Sequence, residues 1–283
     1  MRYSLIAIMA LFVLAAPLFS VLPLNLVQPQ ETVSAGGAID YGTVGPGQSF
    51  SVKITPTVHD ASGKYLGLWA EAYAINLPPN WTSRPSGLDG DPLVVSVQAD
   101  PMAAEGDYTF TIMVIDENGA NHIADTKVNG VVQPGNNTTF DVVVHVSKNV
   151  LGATISPLNQ QVGAGQPARF VFTLTNLGTA PDTFNLGSTG VKDWSYEMSE
   201  YLAPGETKTY NYEVVGEDEA YYPLTLYVQS QSSPQIRYAQ PVTLQVSTNL
   251  VADYKATSHG VLLYPPVMLP VYSLSGLLGL FFP

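Results

Sequence analysis

Residues 44–54, VGPGQSFSVKI, decide the fold of this chain. A glycine-rich turn leads into a run in which apolar and polar residues alternate. Alternation with a period of two is typical of a β-strand that buries one face and leaves the other in water. The same combination returns at residues 162–174 as VGAGQPARFVFTL. Two copies of one β-domain are the simplest interpretation of this repeat.

Other residues repeat at nearly the same spacing as the turn. Trp81 and Trp194 lie 113 residues apart, and Tyr108 and Tyr222 lie 114 apart, whereas Val44 and Val162 are 118 apart. The loops therefore differ slightly in length while the strands correspond. We place the first domain at residues 36–149 and the second at 150–249, each large enough to enclose its own core.

Both domains show strand patterns and no amphipathic helix. Gly, Pro, Asn and Asp separate short alternating runs, as expected of antiparallel sheets joined by tight turns. Each sheet would bury one face, so two sheets must pack face to face. The sequence predicts an all-β protein of two tandem antiparallel β-sandwiches. The second-domain strands are predicted at 168–175, 183–186, 194–198, 207–215, 224–229 and 242–246.

Composition argues against several classes of function. The formal net charge is −12 with only 11 basic residues, so a nucleic-acid partner is excluded. The chain has no cysteine, which removes disulfides and thiolate sites. No motif groups a nucleophile, acid and base, and the histidines lack metal-ligand spacing. We expect a protein that is not an enzyme and has no cofactor or metal; the histidines are His59, His122, His145 and His259.

The N-terminal 35 residues are predicted to be a signal peptide and leader. Met1-Arg2 is followed by the apolar run 5–16, which is the charged start and hydrophobic stretch of a secretory signal. Export is the expected consequence. An uncleaved membrane helix is the alternative, because apolar residues continue past Pro17 to Leu26.

The C-terminal segment, residues 250–283, is interpreted as a linker and an apolar tail. Residues 261–283 contain no charged side chain, and 23 residues suffice for a helical membrane span. Prolines at 265, 266 and 270 shorten any continuous helix, so a short anchor, or a strand that docks into a neighbouring subunit, stays open. The membrane-contacting residues are predicted to include Val261, Leu262, Leu263, Leu277, Leu278, Phe281 and Phe282.

Three sequons in the first domain are candidates for N-linked glycans. Asn80, Asn136 and Asn137 each begin an N-x-S/T triplet in a turn-rich segment. Trp81 and Trp194, at matching positions in the two copies, are interpreted as core residues, with sugar stacking as the alternative. Gly178 and Gly205 are predicted to occupy turns that need a positive φ.

Part of the second domain resembles a known family. The residues are FTLTNLG at 172–178, DTF at 182–184, Trp194 and LAPGET at 202–207. They resemble the Ig-like sandwich module of archaeal and bacterial envelope proteins, including domains associated with NPCBM carbohydrate modules. The resemblance implies an N-x-G turn after one strand, a core tryptophan and a turn that opens the next strand. It implies a fold and no reaction.

These features predict a non-enzymatic exported protein at the cell surface, a membrane-tethered stalk or a surface-layer component. In plan it is similar to small anchoring subunits of archaeal surface layers, although it lacks their coiled coil. The expected partners are membrane lipid, other envelope proteins and possible glycans. One alternative is a carbohydrate-binding or adhesive module that uses Tyr196, Tyr201, Tyr210, Tyr212, Tyr221 and Tyr222. Another is a filament subunit assembled by strand donation.

Overall fold

The computed structural model describes residues 24–59, 65–116, 127–128, 131–132, 137–191 and 196–247. All the regular secondary structure in these ranges is β-strand, which confirms the predicted all-β class. Within these ranges there is no helix with the length and hydropathy needed to cross a membrane. The predicted membrane tail and most of the predicted signal segment lie outside the described residues.

The first sandwich contains twelve strands in the described ranges. In chain order they are β1 Leu24–Gln28, β2 Thr32–Val33, β3 Ala38–Val44, β4 Ser49–Ile54, β5 Thr57–His59, β6 Tyr65–Ile75, β7 Thr82–Arg84, β8 Leu93–Gln98, β9 Gly106–Asp116, β10 Lys127–Val128, β11 Val131–Val132 and β12 Asn137–Val146. One sheet has the order β2-β1-β4-β8-β7 and the other β3-β12-β9-β6-β5, with β10 and β11 forming a separate hairpin.

The core of this sandwich follows from the alternation that the sequence shows. Along β4, Phe50, Val52 and Ile54 are buried while the intervening residues face outward. The opposite sheet contributes Phe110 and Phe140 to the same core. Burying such side chains stabilises a fold by about 1.5–3 kcal/mol each.

The second sandwich has eight strands among the described residues. They are β13 Leu151–Ser156, β14 Asn159–Val162, β15 Pro167–Asn176, β16 Asp182–Thr189, β17 Glu197–Leu202, β18 Thr207–Val215, β19 Tyr221–Ser230 and β20 Arg237–Val246. The sheets are β13-β15-β18 and β14-β20-β19-β16-β17. Phe170, Phe172, Phe184 and Tyr212 form the aromatic part of the core between them.

Most strand pairs are antiparallel, as predicted, and among the described strands each sandwich has one parallel pair. β3 pairs in parallel with β12, and β14 pairs in parallel with β20. In both copies the chain crosses from one sheet to the other near its start, after β1 and β2 in the first copy and after β13 in the second. The crossing strand therefore runs alongside the last strand of its domain in the same direction.

The two copies differ in the strand that follows the tryptophan position. In the first copy β7 pairs with β8, at Thr82 opposite Gln98. In the second copy β17 pairs instead with β16, on the other sheet. Within the described ranges, β18 therefore forms the open edge of a three-stranded sheet.

The first sandwich begins earlier than predicted. β1 falls inside residues 1–35, which the sequence assigned to signal peptide and leader. This strand pairs with β4, and Leu24 and Leu26 are buried in the core. The predicted leader is therefore too long, because a sandwich strand starts at Leu24.

Candidate functional site at the junction between the sandwiches

The repeated sequence VGxGQ builds the same turn twice. In the first copy the Gly45 N–H donates to Gln48 Oε1 at 2.7 Å, and the Gln48 N–H donates back to the Gly45 carbonyl at 3.2 Å. In the second copy the corresponding distances between Gly163 and Gln166 are 3.3 and 3.1 Å. The glutamine side chain thus closes the turn by bonding the backbone three residues earlier.

A third turn uses the same geometry with a glutamate. The Ala203 N–H donates to Glu206 Oε2 at 2.9 Å, and the Glu206 N–H donates to the Ala203 carbonyl at 3.1 Å. The bond from the Ala203 N–H to the carboxylate, with a smaller contribution from Lys208, lowers the pKa of Glu206. Gly205 has a φ of 71°, which confirms the prediction of a positive φ there and explains why glycine fits.

The two VGxGQ turns have different surroundings. In the first copy the Gln48 side chain also reaches the second sandwich, where its Nε2 donates to Asp182 Oδ2 at 2.8 Å. Gln48 is fully buried, and Asp182 is 4% exposed. The turn that closes the first domain is therefore part of a buried contact with the next domain.

Asp182, the first residue of β16, accepts four hydrogen bonds. Its Oδ2 receives Gln48 Nε2 and the Ser230 hydroxyl, the latter at 2.6 Å. Its Oδ1 receives the Ser232 hydroxyl and the Thr183 N–H, both at 2.8 Å. All four partners are donors, so the carboxylate is satisfied in a buried position without a cation.

The backbone at this junction approaches too closely for side chains. A Cβ on Gly47 would lie 2.0 Å from the Ser232 carbonyl oxygen, and one on Gly45 would lie 2.5 Å from Ile236 Cδ1. Gly47 also has a φ of 72°. Glycine is therefore required at position 47 by both conformation and contact between the domains, and at position 45 by close contact alone.

A second strip of contacts joins β3 to the loop between β15 and β16. The Thr179 N–H and hydroxyl both donate to the Thr43 carbonyl, at 2.7 and 2.9 Å. The buried Asn176 shapes this loop, because its amide donates to the Ala180 and Leu202 carbonyls and its oxygen accepts the Gly178 N–H. The loop also inserts Ala180 into the core of the first sandwich.

Gly178 does not have the positive φ that the sequence predicted. A Cβ at this position would lie 3.3 Å from the Thr43 carbonyl oxygen and from Val150. Close approach of the two domains, rather than backbone conformation, is the reason for glycine here. The N-x-G turn is thus one of the parts of the second sandwich that contact the first.

A third strip lies at the loop between β19 and β20. The Ser233 hydroxyl donates to the Pro101 carbonyl at 2.6 Å, and Gln235 Nε2 donates to the same oxygen at 3.3 Å. Two loops of the second sandwich, β15–β16 and β19–β20, therefore contact the first. Such a junction can hold two domains in one orientation, since bending would break buried hydrogen bonds.

Nothing in the described ranges groups histidine, aspartate or glutamate in a way that could hold a metal ion. The chemistry of the junction is hydrogen bonding by neutral donors to one carboxylate. Its arrangement suits mechanical coupling between the domains.

The two candidate glycosylation residues that the structure describes, Asn80 and Asn137, are both exposed. Asn80 lies exposed in a turn with a φ of 63°, and its amide donates to Asp100 Oδ2 at 3.1 Å. Asn137 is the exposed first residue of β12 and pairs with Ile115. Asn136 and the predicted tail residues lie outside the described ranges.

Trp81 is 6% exposed and packs edge-on against Phe50 in the first core, which confirms its predicted role. Trp194 lies outside the described residues.

The tyrosines predicted as sugar contacts do not share one surface. Tyr212 is fully buried, and Tyr210 and Tyr222 pack against the core of the second sandwich. Tyr201 and Tyr221 are exposed, but they lie near opposite ends of the outer sheet, paired with Thr183 and Gln245. At about 3.3 Å per residue along β19, these ends are separated by about 30 Å.

His145 faces outward on β12, between two carboxylates. Its Nδ1 lies 2.5 Å from Asp107 Oδ1, and its Nε2 lies 3.3 Å from Asp40 Oδ2. These bonds raise the pKa of His145, with Asp107 as the larger cause. The sequence pattern does not indicate these two partners, because they lie 38 and 105 residues away along the chain.

The sequence did not predict that Asp182, Ser230 and Ser232 form one hydrogen-bonded cluster at the junction. Only Gln48 was recognisable in advance, as part of the repeated turn, because its partner Asp182 lies 134 residues away. No local pattern distinguishes a buried aspartate at a strand start from a solvated turn residue.

Comparison with known proteins gives fold similarity alone. No family model matches the chain, and no curated protein matches it. Among solved structures, a chimeric titin Z1Z2 is 10% identical with a TM-score of 0.35, covering 82% of this chain and 100% of its own. The PapD-like domain 7 of human CEP192 is 12% identical with a TM-score of 0.25, covering 44% and 98%. A β-glucosidase from Listeria innocua is 12% identical with a TM-score of 0.27, covering 47% and 20%. With identities and scores this low, we draw no functional argument from these matches.

Proposed function

We propose that this chain is a non-enzymatic, exported protein of the prokaryotic cell envelope that acts as a membrane-tethered stalk or a surface-layer component. The two sandwiches form a spacer outside the cell, and the apolar C-terminal segment attaches it to the membrane. Its plan is similar to that of small anchoring subunits of archaeal surface layers.

The observation that carries this proposal is the buried junction. A stalk must keep its domains aligned under load, and Asp182 with its four donors ties three segments of the chain together. Sandwiches have hydrogen-bonded strands along their whole length, which suits resistance to extension. Ala180 in the core of the neighbouring domain adds an apolar contact to the polar one.

The tether is supported by the sequence of residues 261–283, which carry no charge. Fractionation of cells tests it, comparing the intact chain with one that ends at Asn249. We expect the shortened chain in the medium and the intact chain in the membrane pellet, extractable only by detergent. A matched full-length control, Leu277→Asp with Leu278→Asp, should also be released, because charges in hydrocarbon are costly. A shortened chain that stays in the pellet would refute the tether.

Glycan attachment is proposed at Asn80. The side chain is exposed in a turn, with one hydrogen bond to Asp100 that a transferase could displace. Intact mass measurement of the native protein should show a loss of glycan mass in Asn80→Gln. Asn137→Gln serves as the comparison, since Asn137 is paired in a strand. An unchanged mass in Asn80→Gln would contradict the proposal.

Strand donation is a second candidate function, favoured by the edge of β18. Nine residues, Thr207–Val215, pair on one side only within the described ranges. Lys208 lies on this edge, and a lysine there disfavours strand addition. Polymers that survive heating in SDS would support this function, whereas monomers under those conditions would exclude it.

A further inference from the structure

The first sandwich carries opposite charges on its two outer faces. The outward positions of β4, β7 and β8 contain two cations, Lys53 and Arg84, and are otherwise Ser, Thr, Val and Gln. We call these outward positions the basic face. No aspartate or glutamate occupies an outward position on these three strands, although the whole chain has a net charge of −12.

The basic face includes a shallow groove of about 300 Å³. Thr82, Ser83 and Arg84 of β7 line one side, and facing residues of β4 and β8 line the other. Hydroxyl and amide groups there can donate hydrogen bonds to an anion, and Arg84 can bind a carboxylate with two parallel bonds. The exposed Arg84 makes no ion pair with another described residue.

The opposite sheet has the reverse character. Outward positions of β3, β6, β9 and β12 hold four carboxylates, Asp40, Glu71, Asp107 and Asp141, and no lysine or arginine. We call this surface the acidic face. Assignment of the positions follows from the alternation of buried and exposed residues along each strand.

Local contacts leave most of this negative charge unneutralised. His145 lies between Asp40 and Asp107. Asp141 accepts a hydrogen bond from the Thr111 hydroxyl, and Glu71 accepts one from Tyr73, but both donors are neutral. With His145 protonated, the acidic face still carries a net charge of −3, which is opposite in sign to the two cations of the basic face.

Because the two faces lie on opposite sides of one sandwich, the basic face of a molecule cannot contact its own acidic face. Two strongly acidic molecules repel over most of their surfaces, so contact is favoured only where the local charges are opposite. We propose that the basic face of one copy binds the acidic face of a second copy of this chain. The same contact can repeat from copy to copy, since it is heterologous and each copy retains one unused face.

This inference deepens the proposed function by naming the partner and the surface used in a lattice. Exposed ion pairs are individually weak, so the contact needs the high local concentration of tethered molecules to form an array. A failure of this contact would leave the tether intact, because the release test reads the tail alone.

A zero-length carbodiimide cross-linker tests the contact on the full chain in a non-ionic detergent. It joins the Lys53 amine directly to a touching carboxylate. Mass spectrometry should find Lys53 linked to Glu71, Asp141 or another carboxylate of the acidic face, which only a second copy can supply. Lys53→Arg keeps the charge and should abolish the link while the copies still associate. Links from Lys53 to none of the four carboxylates would overturn the proposal.

Charge reversal gives an independent test. Lys53→Glu with Arg84→Glu should reduce self-association about tenfold at low salt, and so should Glu71→Lys with Asp141→Lys. Mixing the two variants should restore association, because each altered face then meets its complement. Lys148→Glu with Arg237→Glu is the control for the first variant. It changes the net charge by the same amount as Lys53→Glu with Arg84→Glu, but at positions outside both faces, and should have little effect.

Association is read from light scattering of the detergent-solubilised full chain at low and high salt. Failure of the mixture to recover would overturn the proposal, as would equal loss in the control variant. Binding of polygalacturonate to the basic face without any copy-to-copy cross-link would overturn it too, and would assign the face to an acidic polysaccharide.

Discussion

Gln48 of the first sandwich donates its side-chain amide to Asp182 of the second at 2.8 Å, and both side chains are buried. The same glutamine closes the turn of its own domain through Gly45. One side chain therefore belongs to the local turn and to the junction at once. Formation of the turn positions the amide that the second domain binds.

Replacing Asp182 should destabilise the protein more than replacing any surface charge. Asp182→Ala leaves four donors, two of them buried and two partly buried, without their acceptor. We expect a loss of about 3–5 kcal/mol in the free energy of unfolding, because each buried donor left unsatisfied costs about 1–3 kcal/mol. Asp182→Asn should also destabilise, because its amide group would face donors. The exposed pair of Arg169 and Glu213 is the control, with Glu213→Ala expected to cost less than about 1 kcal/mol. Chemical denaturation measures both, and equal effects would contradict the role of Asp182.

The two copies of the turn provide a matched pair of glycine variants. Gly47 and Gly165 have φ values of 72° and 70°, so alanine should cost each about 1–2 kcal/mol of backbone strain. Only Gly47 meets the other domain, at the Ser232 carbonyl, while nothing lies within 4 Å of a Cβ on Gly165. Gly47→Ala should therefore lower the melting temperature much more than Gly165→Ala. Equal shifts would show that the close contact has no energetic effect.

The contact loop of the second domain should depend on Asn176. This buried amide bonds two carbonyls and one N–H, and it shapes the segment that carries Thr179. Asn176→Ala should cost about 2–3 kcal/mol, because buried partners lose their bonds. Hydrogen exchange should then quicken at the Thr179 N–H, which donates to Thr43. An unchanged exchange rate at the Thr179 N–H would contradict the role of Asn176 in supporting this contact.

His145 should titrate above the usual histidine value of about 6.5. Its protonated form is favoured by Asp107 first and Asp40 second. A pKa that is higher when folded contributes stability that is fully present below about pH 6.5 and is lost as pH rises through the folded pKa. Asp107→Asn should lower the pKa of His145 in NMR titrations, and Asp141→Asn should change it less. A value that does not respond to Asp107→Asn would refute the pairing.

Much of the second sandwich could be predicted from its alternation of apolar and polar residues. The predicted strand 207–215 coincides with β18, and the prediction for β15 is short by one residue at each end. Alternation works here because one face of each strand is buried and the other is in water. The strand predicted at 194–198 is observed instead at Glu197–Leu202.

Two features of the fold could not be predicted from local pattern. The pairing of β17 with β16, where its counterpart β7 pairs with β8, depends on contacts between distant segments. β1 was not predicted because its apolar residues continue the apolar run of the leader past Pro17 and Pro23, and periodicity alone cannot divide such a run. Both outcomes are decided by tertiary packing.

The candidate site was harder to predict than the fold. The glutamine of the repeated turn was visible as a repeat, but its second partner follows from which loop of the next domain faces it. Charge separation between the two faces of the first sandwich required strand register, since each face collects residues from several strands. Sequence alone gave the net charge and not its distribution.

The account depends on a rigid junction between the two sandwiches, and one distance distribution tests it most directly. Because the chain has no cysteine, Thr109→Cys and Asn211→Cys place one spin label on an exposed strand position of each domain. Double electron–electron resonance on the full chain in detergent should give a single narrow distance distribution, which broadens when Asp182→Ala is added. A broad distribution in the chain with an intact Asp182 would contradict the account.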